Sequence, residues 1–391
     1  TNGVVALNGS TLTGGTLSGT SFTTTGTNDI TTVLAGNGGL TNASGSTTLS
    51  AANLYSGGTV INSGQITATV DNALGASGNT LTVNSNSTLT LTGTAQTNGV
   101  VALNGSTLTG GTLSGSSFTT TGTNNIGTVL AGAGGLTNAS GSTTLTGVNT
   151  YSGGTVVNGG SLYVSGNGTL GSTSGTTTIN DSTLDLGTTT QTQALVSLSN
   201  AIATNGTFNN TAILGKGGTN TTATALIGTS SVTNAVGTNA LTSSGNSYTG
   251  GNTITGGTLQ VATTSSLGAT TNNLSISGNG TLDLQTGTQT QGNVTVTNGN
   301  IISGTLTNSG ITFTGGSNNI TAALAGVGGL TNASGSTTLT GTNTYSGGTV
   351  VNGGSLYVSG NGTLGSTSGT TTINDSTLDL GTTTQTQALV S

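Results

Sequence analysis

Short runs of Thr, Val and Leu alternate with Gly, Asn and Ser along the whole chain. Such runs fall at 100–103, 107–108, 111–113 and 143–145, and Gly-Gly, Asn-Gly or Ser-Gly pairs separate many of them. β-Branched residues between turn-forming pairs are typical of short strands. A helix is disfavoured, because Gly costs about 1 kcal/mol relative to Ala in a helix interior and the apolar positions follow no 3.6-residue period. The pattern therefore predicts an all-β protein.

The same pattern returns at a long, nearly constant interval. Residues 134–162 read GGLTNASGSTTLTGVNTYSGGTVVNGGSL, and their tyrosine recurs once in each interval, at Tyr55, Tyr151, Tyr248 and Tyr345. Self-similarity at a fixed period indicates a repeat architecture. We predict one continuous solenoid, with the third unit the most divergent, built from four units at 1–96, 97–192, 193–289 and 290–391.

Two arrangements of the strands are open: hairpins in a sandwich or meander, or the coils of a parallel solenoid. The repeat favours the solenoid, because each short strand then recurs one coil later. With coils on the order of 20 residues, each unit holds several. We expect Leu and Val inside, Asn on Asn at the corners and Thr outside, with roughly 4.8 Å between coils. The Gly pairs are expected to supply corners with positive φ. The chain starts at a repeat boundary, and its last five residues repeat 193–197, which run straight on into the next unit, so we expect it to be a slice of a longer protein.

Composition narrows the function. The 391 residues include 72 Gly, no Cys and no His, and only 2% are charged. Lys216 is the single cation, so the chain lacks the basic stripe that a nucleic-acid partner requires. No apolar run reaches the roughly 18 residues that a membrane-spanning helix needs. We expect neither a nucleic-acid partner nor a membrane span in this chain.

Candidate chemistry is sparse. Without His, Cys or Glu, the closest carboxylate pair is Asp181 with Asp185, repeated as Asp375 with Asp379. Strand alternation between two leucines points Asp185 outward, so we expect no catalytic residue and no enzyme activity. Asp181 and Asp375 are lone candidates for a calcium site, against a simple Asn-Asp turn. We expect no cofactor, and Lys216 is interpreted as an exposed turn residue.

The aromatic residues offer two interpretations. Phe22, Phe118, Phe208 and Phe313 with the repeated tyrosines would form either a carbohydrate-stacking ladder or core and corner packing. Spacing of about one unit places several coils between successive rings, so we expect packing without ring stacking.

The repeat motif resembles a known family. The residues that carry the resemblance are Gly134, Gly135, Leu136, Leu145, Asn149, Tyr151, Gly153 and Gly154, with Tyr55, Tyr248 and Tyr345 as counterparts of Tyr151. They resemble the passenger-associated repeat of bacterial autotransporters. That family commonly has Lys after the Leu-Thr pair, where this chain has Asn42, Asn138 and Asn332, so a charged corner is expected to be lost. The resemblance implies a right-handed parallel β-helix displayed outside a Gram-negative-type cell.

Two classes of function follow. The first is a structural or adhesive surface fibre that contributes to cell attachment, a filament or an extracellular matrix. It would be extracellular or on the cell surface, associated with the bacterial outer membrane. Its partners would be copies of itself, lateral or end-to-end, and surface glycans or host and cell surfaces, since low charge leaves little repulsion between chains. The alternative is a β-helical protein that binds or degrades polysaccharide.

Overall fold

The computed structural model describes residues 2–262 and 267–391. In these ranges the chain consists of strands and turns, without an α-helix. It forms two compact bodies, an N-terminal body over Thr1–Ala194 and a C-terminal body over Leu195–Ser391. The strands pair in parallel with strands one coil away. The prediction of a parallel β-helix is confirmed.

Most strands of the N-terminal body are short. They span Asn2–Asn8, Thr11–Leu12, Thr16–Thr25, Thr27–Ile30, Val33–Ala35, Leu40–Asn42, Ser46–Leu49, Thr59–Ile61, Gln65–Ala68, Leu81–Val83, Thr88–Leu91, Ala95–Thr97, Val100–Asn104, Thr107–Thr109, Thr112–Ser114, Ser117–Thr121, Thr123–Ile126, Val129–Ala131, Leu136–Asn138, Ser142–Leu145, Thr155–Val157, Ser161–Val164, Thr176–Asn180, Thr183–Asp185 and Thr190–Gln191.

The C-terminal body repeats this pattern, with some longer strands that continue through corners. Its strands span Leu195–Ser199, Ile202–Thr204, Thr207–Asn209, Ala212–Gly217, Thr219–Thr222, Ala225–Ile227, Ser231–Asn234, Thr238–Leu241, Asn252–Ile254, Thr258–Val261, Leu274–Ser277, Thr281–Asp283, Thr288–Thr297, Asn300–Ile302, Thr305–Ile320, Ala323–Ala325, Leu330–Leu339, Thr349–Val351, Ser355–Val358, Thr370–Ile373, Thr377–Asp379 and Leu389–Val390.

The first ladder of paired strands reveals how the coils are built. In this ladder, each coil of the N-terminal body contributes one strand, and the strands of successive coils pair side by side. The residues that pair from coil to coil are Val5, Phe22, Leu40, Thr59, Leu81 and Val101. The corresponding order in the C-terminal body is Val196, Ile213, Val232, Asn252, Leu274 and Val294. In both bodies the first of these steps is the shortest and the fourth is the longest. Coil length differs because the corners differ, while the strands stay in register.

A second ladder lies on another side of each coil. In the N-terminal body it runs through Leu12, Ile30, Leu49, Ala68 and Leu91. Alternation along each strand sends every other side chain into the coil interior. The interior positions Ile30, Leu49 and Ala68 are fully buried. The residues between them face outward, and both faces follow from the period of two in the sequence.

Asparagines form ladders at the outer corner that follows the first ladder. Asn84 Nδ2 donates to Asn62 Oδ1 at 2.9 Å, and Asn104 Nδ2 donates to Asn84 Oδ1 at 3.0 Å. In the next repeat Asn180 Nδ2 donates to Asn158 Oδ1 at 2.9 Å. The expected stacking of Asn on Asn at corners is therefore observed, with each amide bonded to the neighbouring coil.

Candidate functional site

The repeat motif lies where a third, shorter ladder of strands ends. In the N-terminal body this ladder joins Ala95–Thr97, Thr112–Ser114 and Val129–Ala131. One coil later the chain carries Asn149 and Tyr151 in a segment without strand structure. The backbone of Val129–Ala131 therefore needs other partners on that side.

Asn149 supplies one of them. The Leu130 N–H donates to Asn149 Oδ1 at 2.9 Å, and Asn149 Nδ2 donates to the carbonyl of Thr169 at 2.8 Å. One buried side chain thereby connects the preceding coil to the following coil. Asn53 and Asn343 make the equivalent pairs of bonds, at 2.6–2.8 Å.

Gln191 has a related role two coils after Asn149, where both of its bonds to the backbone go to the intervening coil. The Leu170 N–H donates to Gln191 Oε1 at 3.0 Å, and Gln191 Nε2 donates to the carbonyl of Gly168 at 2.9 Å. Gln96 and Gln385 occupy the same place in their repeats. These glutamines were not predicted from the sequence. A signal was present, since each of them follows the tyrosine of its repeat at nearly the same distance along the chain.

The repeat tyrosines fill the interior beside these amides. Tyr55, Tyr151, Tyr248 and Tyr345 are fully buried. The Tyr151 hydroxyl lies 2.7 Å from Thr155 Oγ1. Burial raises the pKa of all four hydroxyls, and each side-chain hydrogen bond lowers it by less. These groups are therefore neutral structural hydrogen-bond donors.

Two tyrosines also contact a phenylalanine of the same repeat. The ring centroids of Phe22 and Tyr55 are 6.2 Å apart, and so are those of Phe118 and Tyr151, with interplanar angles of 51° and 50°. The prediction of core packing holds for these rings, and their planes are tilted and not stacked. The contact joins a phenylalanine to the tyrosine of its own unit, a pair that the comparison of residues one unit apart did not consider.

The glycine pairs of the motif have two different roles. Gly154 has φ of +81°, as expected for a corner. Gly134, Gly135 and Gly153 lie outside the left-handed region, so the expectation of positive φ was wrong for them. A Cβ on Gly153 would lie 2.5 Å from the Gly135 nitrogen, and one on Gly135 would lie 2.7 Å from the Gly153 carbonyl oxygen. These glycines are needed because the backbones of neighbouring coils approach too closely for a side chain.

The two leucines of the motif belong to the buried core. Leu136 begins the strand Leu136–Asn138, and its N–H donates to the Gly154 carbonyl at 2.9 Å. Leu145 ends the strand Ser142–Leu145. Both side chains are fully buried. They fix the inward face of the two strands that precede the tyrosine.

The asparagine after the Leu-Thr pair lies inside the coil. Asn138 is fully buried, and its Oδ1 accepts hydrogen bonds of 2.8 Å from both Thr120 Oγ1 and Thr143 Oγ1. Asn42 and Asn332 are buried too. The expectation of a corner at this position was wrong, because threonines of the same and the preceding coil satisfy the amide in the interior.

The carboxylates form turns on the outside. Asp181 and Asp375 have φ of +49° and +44°. Asp185 Oδ1 accepts the N–H of Gly187 at 2.8 Å, closing the turn that follows its strand. The described residues contain no group of three or more His, Cys, Asp or Glu arranged to hold a metal ion. Within those ranges, the calcium interpretation of Asp181 and Asp375 gains no support from a carboxylate cluster.

Lys216 lies on the surface at an irregularity of the first ladder. Ser199 pairs with Gly217 and Leu198 with Gly215, so Lys216 is the extra residue of a bulge. It is exposed, as expected, but it belongs to the strand Ala212–Gly217 and not to a turn.

These features define a parallel β-helix whose coils are joined by a tyrosine-containing repeat. The family model described as passenger-associated-transport-repeat matches the chain four times, at 44–68, 140–164, 236–261 and 334–358. The chain therefore carries four copies of the repeat found in autotransporter passengers, and this repeat supports an extracellular, surface-associated β-helical protein. The comparisons with curated proteins and with solved structures found no match.

Each matched segment contains the tyrosine of its repeat and the residues around it. The segment 140–164 contains Leu145, Asn149, Tyr151, Gly153 and Gly154, whereas Gly134, Gly135 and Leu136 precede it. The other three segments contain the counterparts of Tyr151, which are Tyr55, Tyr248 and Tyr345. No helix in the described ranges has the length and apolar character needed to cross a bilayer.

Proposed function

We propose that this protein is a structural and adhesive segment of an extracellular surface fibre, associated with the bacterial outer membrane. Its copies pack laterally through one flat face and contribute to cell attachment, a filament or an extracellular matrix. The observation that carries the proposal is a charge-free line of outward side chains on the first ladder. This outer column of the N-terminal body consists of Ala6, Thr23, Thr41, Val60, Thr82, Ala102, Thr119, Thr137, Val156 and Thr178.

The outer column has the properties of a packing face. Its side chains are small, mostly β-branched and, beyond Ala6, half-buried within their own sheet. Sheets with such faces pack about 10 Å apart, with side chains of one sheet between those of the other. The whole chain carries one Lys and seven acidic residues, so electrostatic repulsion opposes association only weakly. The outer column can therefore pack against the same face of a second copy, either side by side or with the two copies staggered end-to-end.

The proposed function includes binding but no catalysis. A surface groove of about 340 Å³ is lined by Gly, Asn, Thr, Ser and Leu at positions between Gly250 and Thr295, and this described lining contains no carboxylate. A glycoside hydrolase would need two carboxylates flanking one sugar linkage. Asp185 instead closes its own turn through Gly187. We therefore propose that the protein is not an enzyme and acts without a cofactor, a metal or a nucleic-acid partner.

Sedimentation velocity tests the lateral packing. The variant Thr41→Lys/Thr119→Lys/Thr137→Lys places three cations on the outer column, and like charges across a packed face repel. Wild type should sediment as concentration-dependent assemblies, and the variant as a monomer at low salt. The control Thr48→Lys/Thr88→Lys/Thr107→Lys adds the same charge to outward positions of the second ladder. Monomeric wild type, or equal dissociation of both variants, would contradict the proposed face.

A further inference from the structure

Two half-exposed tyrosines lie on the outer face of the second ladder, away from the outer column. Tyr163 is 37% exposed and Tyr357 is 38% exposed. Each belongs to a row of four outward residues on successive coils, in the same order Asn, Thr, Tyr, Asp. The rows are Asn125, Thr144, Tyr163 and Asp185, and Asn319, Thr338, Tyr357 and Asp379.

The carboxylate of each row is held by its own turn. The Gly187 N–H donates to Asp185 Oδ1 at 2.8 Å, and the Gly381 N–H donates to Asp379 Oδ1 at 2.8 Å. These bonds keep each carboxylate beside the tyrosine one coil away. The same bond closes the turn in both bodies, whereas a tyrosine atom lies within 4 Å of the glycine Cβ position at Gly187 and not at Gly381.

The ring of Tyr163 lies along the surface toward this turn. A Cβ built on Gly187 would lie 3.2 Å from the Tyr163 hydroxyl oxygen, so the hydroxyl end of the ring reaches the neighbouring coil. The partly exposed side chain has a carboxylate on the coil after it and a threonine on the coil before it. Aromatic faces bind apolar surface, while the polar groups beside them select its orientation.

We propose that these two rows bind a neutral polysaccharide chain that lies across successive coils. The row presents an amide, a hydroxyl, a ring face and a carboxylate at steps of roughly 4.8 Å. A sugar ring offers a C–H face for the tyrosine and hydroxyls for Asn, Thr and Asp. Three of the four positions are uncharged, which favours a neutral ligand over a cation, and the carboxylate disfavours an anionic one. The inference rests on the adhesive part of the proposed function and gives that part a ligand class.

The third repeat provides an internal comparison. Its row reads Thr221, Ala240, Gln260 and Asp283, with glutamine in the place of tyrosine. Gln260 Nε2 donates to Asp283 Oδ2 at 3.3 Å, so the two side chains are adjacent. The change Gln260→Tyr should therefore create a further row without altering the existing ones.

Affinity electrophoresis of the full chain in gels cast with hydroxyethylcellulose, galactomannan or dextran tests the proposal. Wild type should be retarded by at least one of these neutral polysaccharides. Tyr163→Ala/Tyr357→Ala should weaken that binding about tenfold, the upper range for loss of an aromatic contact. Asp185→Asn/Asp379→Asn should weaken it a fewfold, and Gln260→Tyr should strengthen it. Thr48→Ala/Thr67→Ala, on the same face but away from any tyrosine row, is the matched control and should change nothing.

Several results would overturn the proposal. They are absence of retardation in all three gels, retardation that the tyrosine variant leaves unchanged, and tyrosine-dependent binding of polylysine in the absence of glycan binding. Circular dichroism of each variant confirms that the fold is retained. The gels are repeated with the monomeric lysine variant of the outer column. If this variant still binds glycan, then glycan binding does not depend on lateral packing. The failure of one proposal can then be told apart from the failure of the other.

Discussion

The hydroxyl of Tyr151 donates a hydrogen bond to Thr155 Oγ1, 2.7 Å away. The direction follows from Thr155, whose only hydroxyl proton is directed at the Leu170 carbonyl at 3.3 Å. The buried tyrosine is thus the first donor of a short chain that ends on the backbone of the next coil. The corresponding chain begins at Tyr55 and Tyr345 in their repeats.

Removing this hydroxyl should destabilise the fold by a small, measurable amount. Tyr151→Phe deletes one buried hydrogen bond and should lower the free energy of unfolding by about 1 kcal/mol. Denaturant titration of the full chain measures the change. Tyr163→Phe is the control, because that side chain is partly exposed and its loss should cost less than about 0.5 kcal/mol. Equal effects of the two changes would show that the buried chain of bonds contributes nothing.

Alkaline pH should unfold the protein through its buried tyrosines. Burial raises the pKa of Tyr55, Tyr151, Tyr248 and Tyr345 above the ordinary value of 10.0. Because the unfolded chain ionises first, their contribution to stability is complete below about pH 10 and is lost as pH rises toward the folded pKa values. The part of the tyrosinate absorbance that comes from these four buried residues should appear together with the loss of the far-ultraviolet circular dichroism of the β-sheet. Ionisation of all four tyrosines while the β-sheet signal persists would refute their burial.

Gly171 should not tolerate a side chain. It has φ of +81°, and a Cβ there would lie 2.6 Å from Tyr151 Cε2. Gly166 is the matched control, with φ of +61° and open space around its Cβ position. Gly166→Ala should cost about 1–2 kcal/mol for the left-handed backbone alone. Gly171→Ala should cost a further 1–3 kcal/mol or so from overpacking against the ring and the carbonyl oxygen of Tyr151, measured by denaturant titration. Similar costs would mean that both the ring and the backbone of Tyr151 move aside freely.

Asn149 should protect the backbone of the preceding coil. Asn149→Ala leaves the buried N–H of Leu130 without its acceptor, which costs about 1–3 kcal/mol. Hydrogen exchange should accelerate in peptides containing Leu130 and change little several coils away, since solenoid stability is local. Asn167→Ala, in an exposed turn, is the control. Unchanged exchange at Leu130 would contradict the bridging role.

Much of the fold was predictable because its information is local or periodic. The alternation of Leu89 and Leu91 with Thr88 and Thr90 assigns inward and outward faces without knowledge of the neighbours. The predicted strands at 107–108 and 143–145 were observed as Thr107–Thr109 and Ser142–Leu145. The uneven coil lengths were not predictable, because a corner adds residues without disturbing the strand pattern.

The contacts of the site were harder to predict from the sequence, because they join residues of different coils. Asn138 is buried only because Thr120 of the preceding coil meets it, far from it along the chain. Gln191 sits in a Thr-Gln-Thr sequence that resembles an outward polar strand, and its role depends on Leu170 and Gly168 one coil back. Gly153 is required by the backbone of Gly135, not by its own conformation. Such requirements arise from stacking and have no signature in the local sequence.

Cryo-electron microscopy of the assembled protein, at a resolution that separates the strands, shows directly whether its copies pack through the outer column. Lateral packing through the outer column predicts paired β-helices whose facing sheets lie about 10 Å apart, with Thr41, Thr119 and Thr137 in the contact and roughly 4.8 Å between coils. The tyrosine rows at Tyr163 and Tyr357 should remain outside that contact. Isolated single β-helices, or assemblies that pack through the tyrosine rows, would contradict lateral packing through the outer column.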